Sequence, residues 1–432
     1  MEALLNLPVL VKVFVSFFFI IAVTRLLKSL LLALAGGTVI LALWAGHSLW
    51  SMAAVVWKLL TSVNNLFLII IVILVIILSR QMEESGIMRD MVKRIKSRLS
   101  QKFSMAALPA IIGLLPMPGG ALFSAPLVDD CDDKKIHPPL LKTQINYWFR
   151  HIWEFWWPLY PGVLVALAQS RLPFWEFALL QIPLSIFSIA GGYVFFLRKI
   201  SPVYDHEDKP KDSFIVLLVP IFVIITVYAV LKIFFPPIEK ISTYLPMTIG
   251  ILFAIIILEL QKPLPFSVWK KILWSRKILN MALIVLFIRI YGAFIESRLP
   301  GGGLLMETMR FELDSLGVPI FVLVIAVAFI SGITTGLAVG FVGASFPIVM
   351  SILGQSPQQG LLLSTVVLAY GFGYVGMLLS PVHVCLIVTN EYFKTNLFHS
   401  ISSFIRPAAF ILAGTLILSI LPQFIFGSSI WN

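Results

Sequence analysis

Apolar runs separated by short charged segments set the pattern of this chain. Stretches such as 66–79 and 214–230 carry almost nothing polar, and about 20 apolar residues in a row span a bilayer as helix. A transmembrane β-barrel would alternate apolar and polar residues, which these runs do not. The pattern predicts an all-α polytopic membrane protein, with helices near 7–26, 30–50 and 63–79 and an interfacial connection over 51–61. The first apolar segment is long enough to span, so it reads as a first helix rather than a removable signal. In the charged stretch 80–102, Ile87, Met88, Met91, Val92 and Ile95 recur at helical spacing, which predicts an amphipathic helix on the membrane surface.

The apolar pattern is then interrupted. Residues 113–130, GLLPMPGGALFSAPLVDD, place Pro116, Pro118, Gly119, Gly120 and Pro126 in a run that is uncharged as far as Val128. Each proline removes a backbone donor and clashes with the preceding turn. Within lipid, such irregular backbone survives only where protein or a water-filled cavity satisfies it. The stretch therefore reads as the tip of a re-entrant hairpin over 103–128, with a plain loop between two helices as the simpler alternative. A helix over 143–168 follows, broken by Pro158, Pro161 and Gly162. A closing helix over 174–197 and a charged cytoplasmic linker at 201–212 end this half.

The second half repeats the order. Helices are predicted near 213–235, 244–260 and 278–295, then a hairpin over 320–353 containing SGITTGLAVGFVGASFP. Next comes a helix over 361–388, loosened by Gly371, Gly373 and Gly376 and broken at Ser380 and Pro381, and a last helix over 404–426. Landmarks recur about half a chain apart: Gly86 and Gly303, Gly119 and Gly340, Pro161 and Pro381. Two repeats result, 1–200 and 213–432, each with three helices, a hairpin, an interrupted helix and a closing helix. Because a hairpin returns to its own side, each repeat makes an odd number of crossings and the second copy is inverted. The prediction is about ten transmembrane helices plus two re-entrant hairpins. Paired broken helices in inverted repeats place a site near the midplane in many secondary transporters.

Composition agrees with this reading. The chain is 59% hydrophobic and 12% charged with a mean hydropathy of +0.98, whereas soluble domains are roughly a quarter charged. The net charge of +11 is gathered in short segments beside apolar spans, a sign of membrane orientation and not of nucleic acid. Basic loops at 80–102 and 262–277 read as cytoplasmic and the mixed-charge segment 298–317 as external. That orientation puts both termini outside a cell membrane. Cys131 falls in a loop and Cys385 in a span, which predicts no disulfide and leaves Cys385 without partners for a metal.

Helix ends inside a membrane expose unpaired backbone groups and a partial charge of roughly half a unit, so they bind ions without charged side chains. Candidates at the hairpin tips are Gly119, Gly120 and Ser124, and Thr334, Thr335, Gly340 and Ser345 with Ser331 and Gly336. Hydroxyls bonded back to their own helix are the plain alternative, and close packing is the expected use of Gly343. Arg150, His151 and Glu154 are the strongest chemical signal, because ionisable groups within a span are costly. Arg150 and Glu154 stand at i and i+4, which suits an intrahelical ion pair. Functionally, Arg150 would attract an anion while His151 or Glu154 takes a coupling proton. Asn146 lies one turn earlier, and Ser380 and His383 flank the second break. The aromatics Trp148, Trp153, Trp156 and Trp157 read as packing or interface anchors, and Arg289 as a residue that snorkels outward.

The motifs PMPGGALFSAPLVDD, INYWFRHIWEFWWPLYPG and SPVHVCLIVTNEYF resemble the signatures of an uncharacterised prokaryotic integral-membrane family similar to gluconate permeases, over essentially the whole chain. The resemblance implies the ion-transporter superfamily of citrate, dicarboxylate, gluconate and arsenite carriers, which work by an elevator movement and dimerise through a rigid scaffold. The Ser-Asn-Thr hairpin tips of the dicarboxylate carriers are missing here. The expectation is a secondary active transporter for a small anion, an organic carboxylate such as a sugar acid, coupled to H+ or Na+. Partners would be the solute, membrane lipid and a second copy of the chain. Beyond Na+ as a coupling ion, no cofactor or metal is expected. A translocase that holds a lipid-linked phosphate between the hairpins is the alternative. No HExxH or other catalytic set supports an enzyme.

Overall fold

The computed structural model describes residues 7–87, 90, 99–116, 120–132, 135–200, 219–299 and 302–431. Among these the chain is helical, apart from an isolated bridge between Arg298 and Leu304. The first half runs α1 (Val9–Leu27), α2 (Leu30–Trp44), α3 (Leu49–Leu60), α4 (Val63–Glu84), α5 (Gln101–Ile112), α6 (Ala121–Asp130), α7 (Pro139–Arg150), α8 (Pro161–Ser170) and α9 (Phe174–Phe195). The second runs α10 (Val219–Phe234), α11 (Leu245–Gln261), α12 (Phe266–Leu273), α13 (Arg276–Ile295), α14 (Leu305–Ser315), α15 (Ile320–Thr335), α16 (Ala338–Leu353), α17 (Gln359–Leu378), α18 (Val384–Phe393) and α19 (Leu397–Phe426). The predicted cytoplasmic linker at 201–212 and most of the surface helix expected within 80–102 lie outside the described residues.

Local chemistry sets several boundaries differently from the apolar pattern. The helix expected over 30–50 stops at Trp44, because Gly46 turns the chain at φ +88° and Ser48 then caps α3 by accepting from Ser51 N at 3.2 Å. The interfacial connection is thus itself a helix. Gly371, Gly373 and Gly376 do not loosen α17, which stays helical to Leu378. A Cβ at Gly376 would come within 2.4 Å of Phe329 O, and one at Gly332 within 2.1 Å of Gly373 O. These glycines let α15 and α17 pack backbone to backbone.

Packing relates the two halves by exchange. The pair α5–α6 is matched by α15–α16, α2 against α13 by α11 against α4, and α8 against α16 by α18 against α6. Equivalent helices α4 and α13 run antiparallel. Asn65 in the first turn of α4 meets Arg289 near the end of α13 at 2.9 Å, while Glu84 at the end of α4 meets Lys271, just before α13, at 3.2 Å. Helices at matching places in the two halves thus run in opposite senses, as the inverted-repeat expectation requires of them. Both chain ends share one face with α14. The Glu312 carboxylate accepts from Val9 N and Leu10 N at 2.9 and 2.7 Å. Ile430 N donates to Ser364 Oγ at 2.8 Å at the other terminus, and a cavity joins Met306 of α14 to Gly354–Gln359.

Among the described residues, six helices are long and apolar enough to cross a membrane, and the hairpin arms are not among them. With 12 residues in α5, that arm reaches about 18 Å against a hydrocarbon core of about 30 Å. The second hairpin turns at Gly336, φ +62°, a left-handed conformation that glycine adopts without strain. The described tip of the first hairpin reaches Pro116 and resumes at Gly120; Gly119 lies outside the described residues.

Candidate functional site

Two interrupted helices meet at the centre of the molecule. The first breaks between α7 and α8, and the break starts at His151, well before the expected Pro158. The second breaks between α17 and α18 over 379–383. Freed carbonyls inside a membrane need donors, and each helix supplies them to the other. Tyr374 and Tyr370 of α17 donate to His151 O at 2.8 Å and Glu154 O at 2.6 Å. Tyr147 of α7 donates to Leu378 O at 2.9 Å.

The tryptophans of the first break also do more than anchor. Trp153 and Trp157 donate to Ala110 O and Leu114 O of the first hairpin at 2.8 and 2.9 Å, and Tyr160 donates to Gly113 O. On the second break Ser380 donates to Ile333 O at 2.7 Å. Both hairpins are therefore tied to the breaks by hydrogen bonds to their own loosened backbone.

Polar side chains gather where these elements join. Arg150, His151, Glu154 and His383 are each less than a tenth exposed and Asn146 is fully buried. The Arg150 guanidinium lies against the first hairpin, since a Cβ on Gly120 would fall 2.2 Å from its Nη2. His151 Nε2 stands 3.1 Å from His383 Nε2 and 3.9 Å from Glu154 Oε1. Because α7 ends at Arg150, the helical i, i+4 geometry expected for Arg150 and Glu154 does not exist, and Glu154 also approaches His151. Asn146 donates to Thr389 Oγ1 at 3.0 Å, and its Oδ1 has no partner among the described residues.

The second hairpin packs against the second break. A Cβ on Gly336 would lie 3.0 Å from both His383 N and Ser380 Oγ. Arg150 thus lies against the first tip at Gly120, and His383, beside His151, against the second at Gly336. Gly340 packs on Thr335 of its own hairpin at 2.8 Å and Gly343 on Ile288 at 2.4 Å, again measured to a notional Cβ. Ser124, Thr334, Thr335 and Ser345 bond back to carbonyls of their own helices.

Two residues carry more than the sequence reading gave them. Cys385 has partners: its Sγ and a ring nitrogen of His151 and of His383 all lie within 4.8 Å of one another. The linear sequence puts His151 in the other half of the chain from His383 and Cys385, and the packing of the two breaks brings them together. Arg289 does not snorkel outward; it binds Asn65 and donates to Ala168 O at 3.1 Å, capping α8. It lines a cavity of about 390 Å³ with Arg171, Lys232, Asn64 and Tyr244. Beyond the first hairpin, Lys135 pairs with Asp129 at 2.5 Å, and that carboxylate holds its ammonium above the usual range.

Long apolar helices, two short helix pairs and two cross-latched breaks define the class: a polytopic α-helical membrane protein with a buried polar centre. Within that class the chain belongs to the family described as "Protein of unknown function (DUF401)", whose model matches residues 10–422. No curated protein matches the chain. Among solved structures it is similar to the crystal structure of the Alcanivorax borkumensis YdaH transporter, described as having an unusual topology. The TM-score is 0.55 at 14% identity, over 83% of this chain and 86% of that one. At that identity the likeness concerns the fold alone.

Proposed function

We propose that this protein is a secondary active transporter that moves a small organic anion by alternating access, with the hairpins and broken helices travelling against α1–α4 and α10–α13. The observation that carries the reading is that the first hairpin and first break enclose Arg150, a buried permanent cation, while the second hairpin and second break meet at His383, which stands 3.1 Å from the neighbouring His151. Holding a charge there is costly, and a carboxylate is the natural partner of a guanidinium fork. Support also comes from the fold shared with a solved transporter. Beside α8 lies a cavity lined by Arg171, Lys232, Arg289 and Glu239, in which Lys232 is paired to Glu239 at 3.0 Å and Arg171 to Glu296 at 2.9 Å. Sugar acids are the first solutes to try, on the resemblance of the motifs to gluconate permeases. A cation gradient, H+ or Na+, drives the cycle in this reading. The end carrying Glu84, Lys262 and Lys271 faces the cytoplasm by the positive-inside rule, which leaves both termini outside.

The test is uptake of labelled carboxylates by proteoliposomes under imposed H+ or Na+ gradients. Accumulation of at least one carboxylate, lost in Arg150→Gln, is expected. No uptake across a broad panel, or flipping of a labelled phospholipid in its place, would overturn the reading.

A further inference from the structure

His151 and His383 meet in an orientation that their own hydrogen bonds dictate. His151 Nδ1 lies 2.6 Å from Tyr147 O and His383 Nδ1 lies 3.2 Å from Met377 O. A carbonyl oxygen only accepts, so each Nδ1 carries a proton, and a ring in that neutral tautomer presents its Nε2 lone pair. Those lone pairs face each other at 3.1 Å. Two acceptors at that distance repel unless a proton or a metal ion lies between or beside them. Cys385 Sγ completes a triangle with all three ligand atoms within 4.8 Å, and the three residues are each less than a tenth exposed.

We propose that His151, His383 and Cys385 form a binding site for one borderline-soft d10 metal ion, Zn2+ or Cu+, bridging the breaks of the two interrupted helices. Metal–ligand bonds of about 2.0–2.1 Å to nitrogen and 2.3 Å to sulfur put tetrahedral neighbours roughly 3.3–3.6 Å apart, close to the histidine separation observed. A donor set of two imidazoles and one thiolate selects these ions over Na+, Mg2+ or Ca2+, which require oxygen ligands. Donation of both Nδ1–H groups to carbonyls is the outer support that metal-ligating histidines ordinarily have. Binding releases the thiol proton. The resulting thiolate balances Cu+, and with the Glu154 carboxylate, 3.9 Å from His151 Nε2, it balances Zn2+ and offers a fourth ligand. The site is independent of the transported solute, since it needs only the packing of His151 at the first break against His383 and Cys385 at the second.

The test uses full-length protein purified without chelators from cells grown with added zinc or copper. Elemental analysis should give about one Zn2+ or Cu+ per chain in the wild type and in Cys131→Ser. In Cys385→Ser and His383→Ala the content should fall at least tenfold. Competition with a Zn2+ indicator, and anaerobically with a Cu+ chelator, tells which ion is held more tightly. Co2+ added to the apo wild type should give a thiolate-to-metal charge-transfer band, a readout that no variant's folding can confound. Wild-type metal content no higher than that of Cys385→Ser, or a Co2+ spectrum without that band, would overturn the site.

Discussion

Removing the hydroxyls of Tyr370 and Tyr374 tests the idea that each broken helix holds the other's loosened backbone. Both side chains are fully buried, and their hydroxyls donate to Glu154 O and His151 O at 2.6 and 2.8 Å. In Tyr374→Phe the ring packing survives while a carbonyl within the membrane loses its donor. An unsatisfied buried acceptor costs about 1–3 kcal/mol, more than the roughly 1 kcal/mol net value of an average hydrogen bond. With an unfolding entropy of roughly 2.1 cal/mol/K per residue, a chain of 432 residues shifts about 1 °C per kcal/mol, so each variant should melt about 1–3 °C below wild type. The losses should couple in the double variant, because both carbonyls belong to one short segment. Thiol-reactive fluorescence on heating suits the measurement, since Cys131 and Cys385 are both buried and react only on opening. Hydrogen exchange across 151–160 should rise in parallel. Tyr193→Phe, on an exposed side chain, serves as the control. An unchanged melting temperature with unchanged exchange over 151–160 would refute the reasoning.

Three further outcomes follow from close contacts. In Gly332→Ala the new methyl would meet Gly373 O at 2.1 Å; backbone cannot yield, so destabilisation of about 1–3 kcal/mol or more is expected as a lower melting temperature. In Gly120→Ala the methyl meets only the flexible tip of Arg150 at 2.2 Å. Stability should hold while the guanidinium retreats by about 1 Å, which at an effective dielectric of about 20 removes roughly 0.8 kcal/mol from an anion about 4 Å away, a rise of about fourfold in the KM for uptake. Glu312→Ala removes the acceptor of Val9 N and Leu10 N, and a loss of about 1 kcal/mol with faster exchange at the start of α1 should follow.

Much of the architecture is legible in the sequence because lipid allows so few backbone solutions. Apolar runs, Pro116–Pro126 and Gly336 mark helices and turns whatever lies beside them. The second hairpin is expected over 320–353 and is observed as Ile320–Thr335 and Ala338–Leu353. What sequence order does not carry is which residues of the two halves meet. Cys385 reads as isolated until His151 is placed beside it, and Trp153 and Trp157 read as anchors until the carbonyls of the first hairpin are seen beneath them. Gly373 and Gly376 read as helix breakers because a glycine's cost in a helix is local, whereas its gain here is the approach of α15. For Arg150 and Glu154 the reason is the converse: i, i+4 spacing implies helical neighbours only in a continuous helix, and the break comes between them.

The most direct test of the central proposal is gradient-driven uptake of a radiolabelled sugar acid or dicarboxylate into proteoliposomes containing wild type or Arg150→Gln protein of equal thermal stability. Wild-type protein should accumulate the anion and the variant should fall at least tenfold. Equal uptake by the two would contradict an anion site at Arg150, and no uptake of any carboxylate by the wild type would contradict the transporter itself.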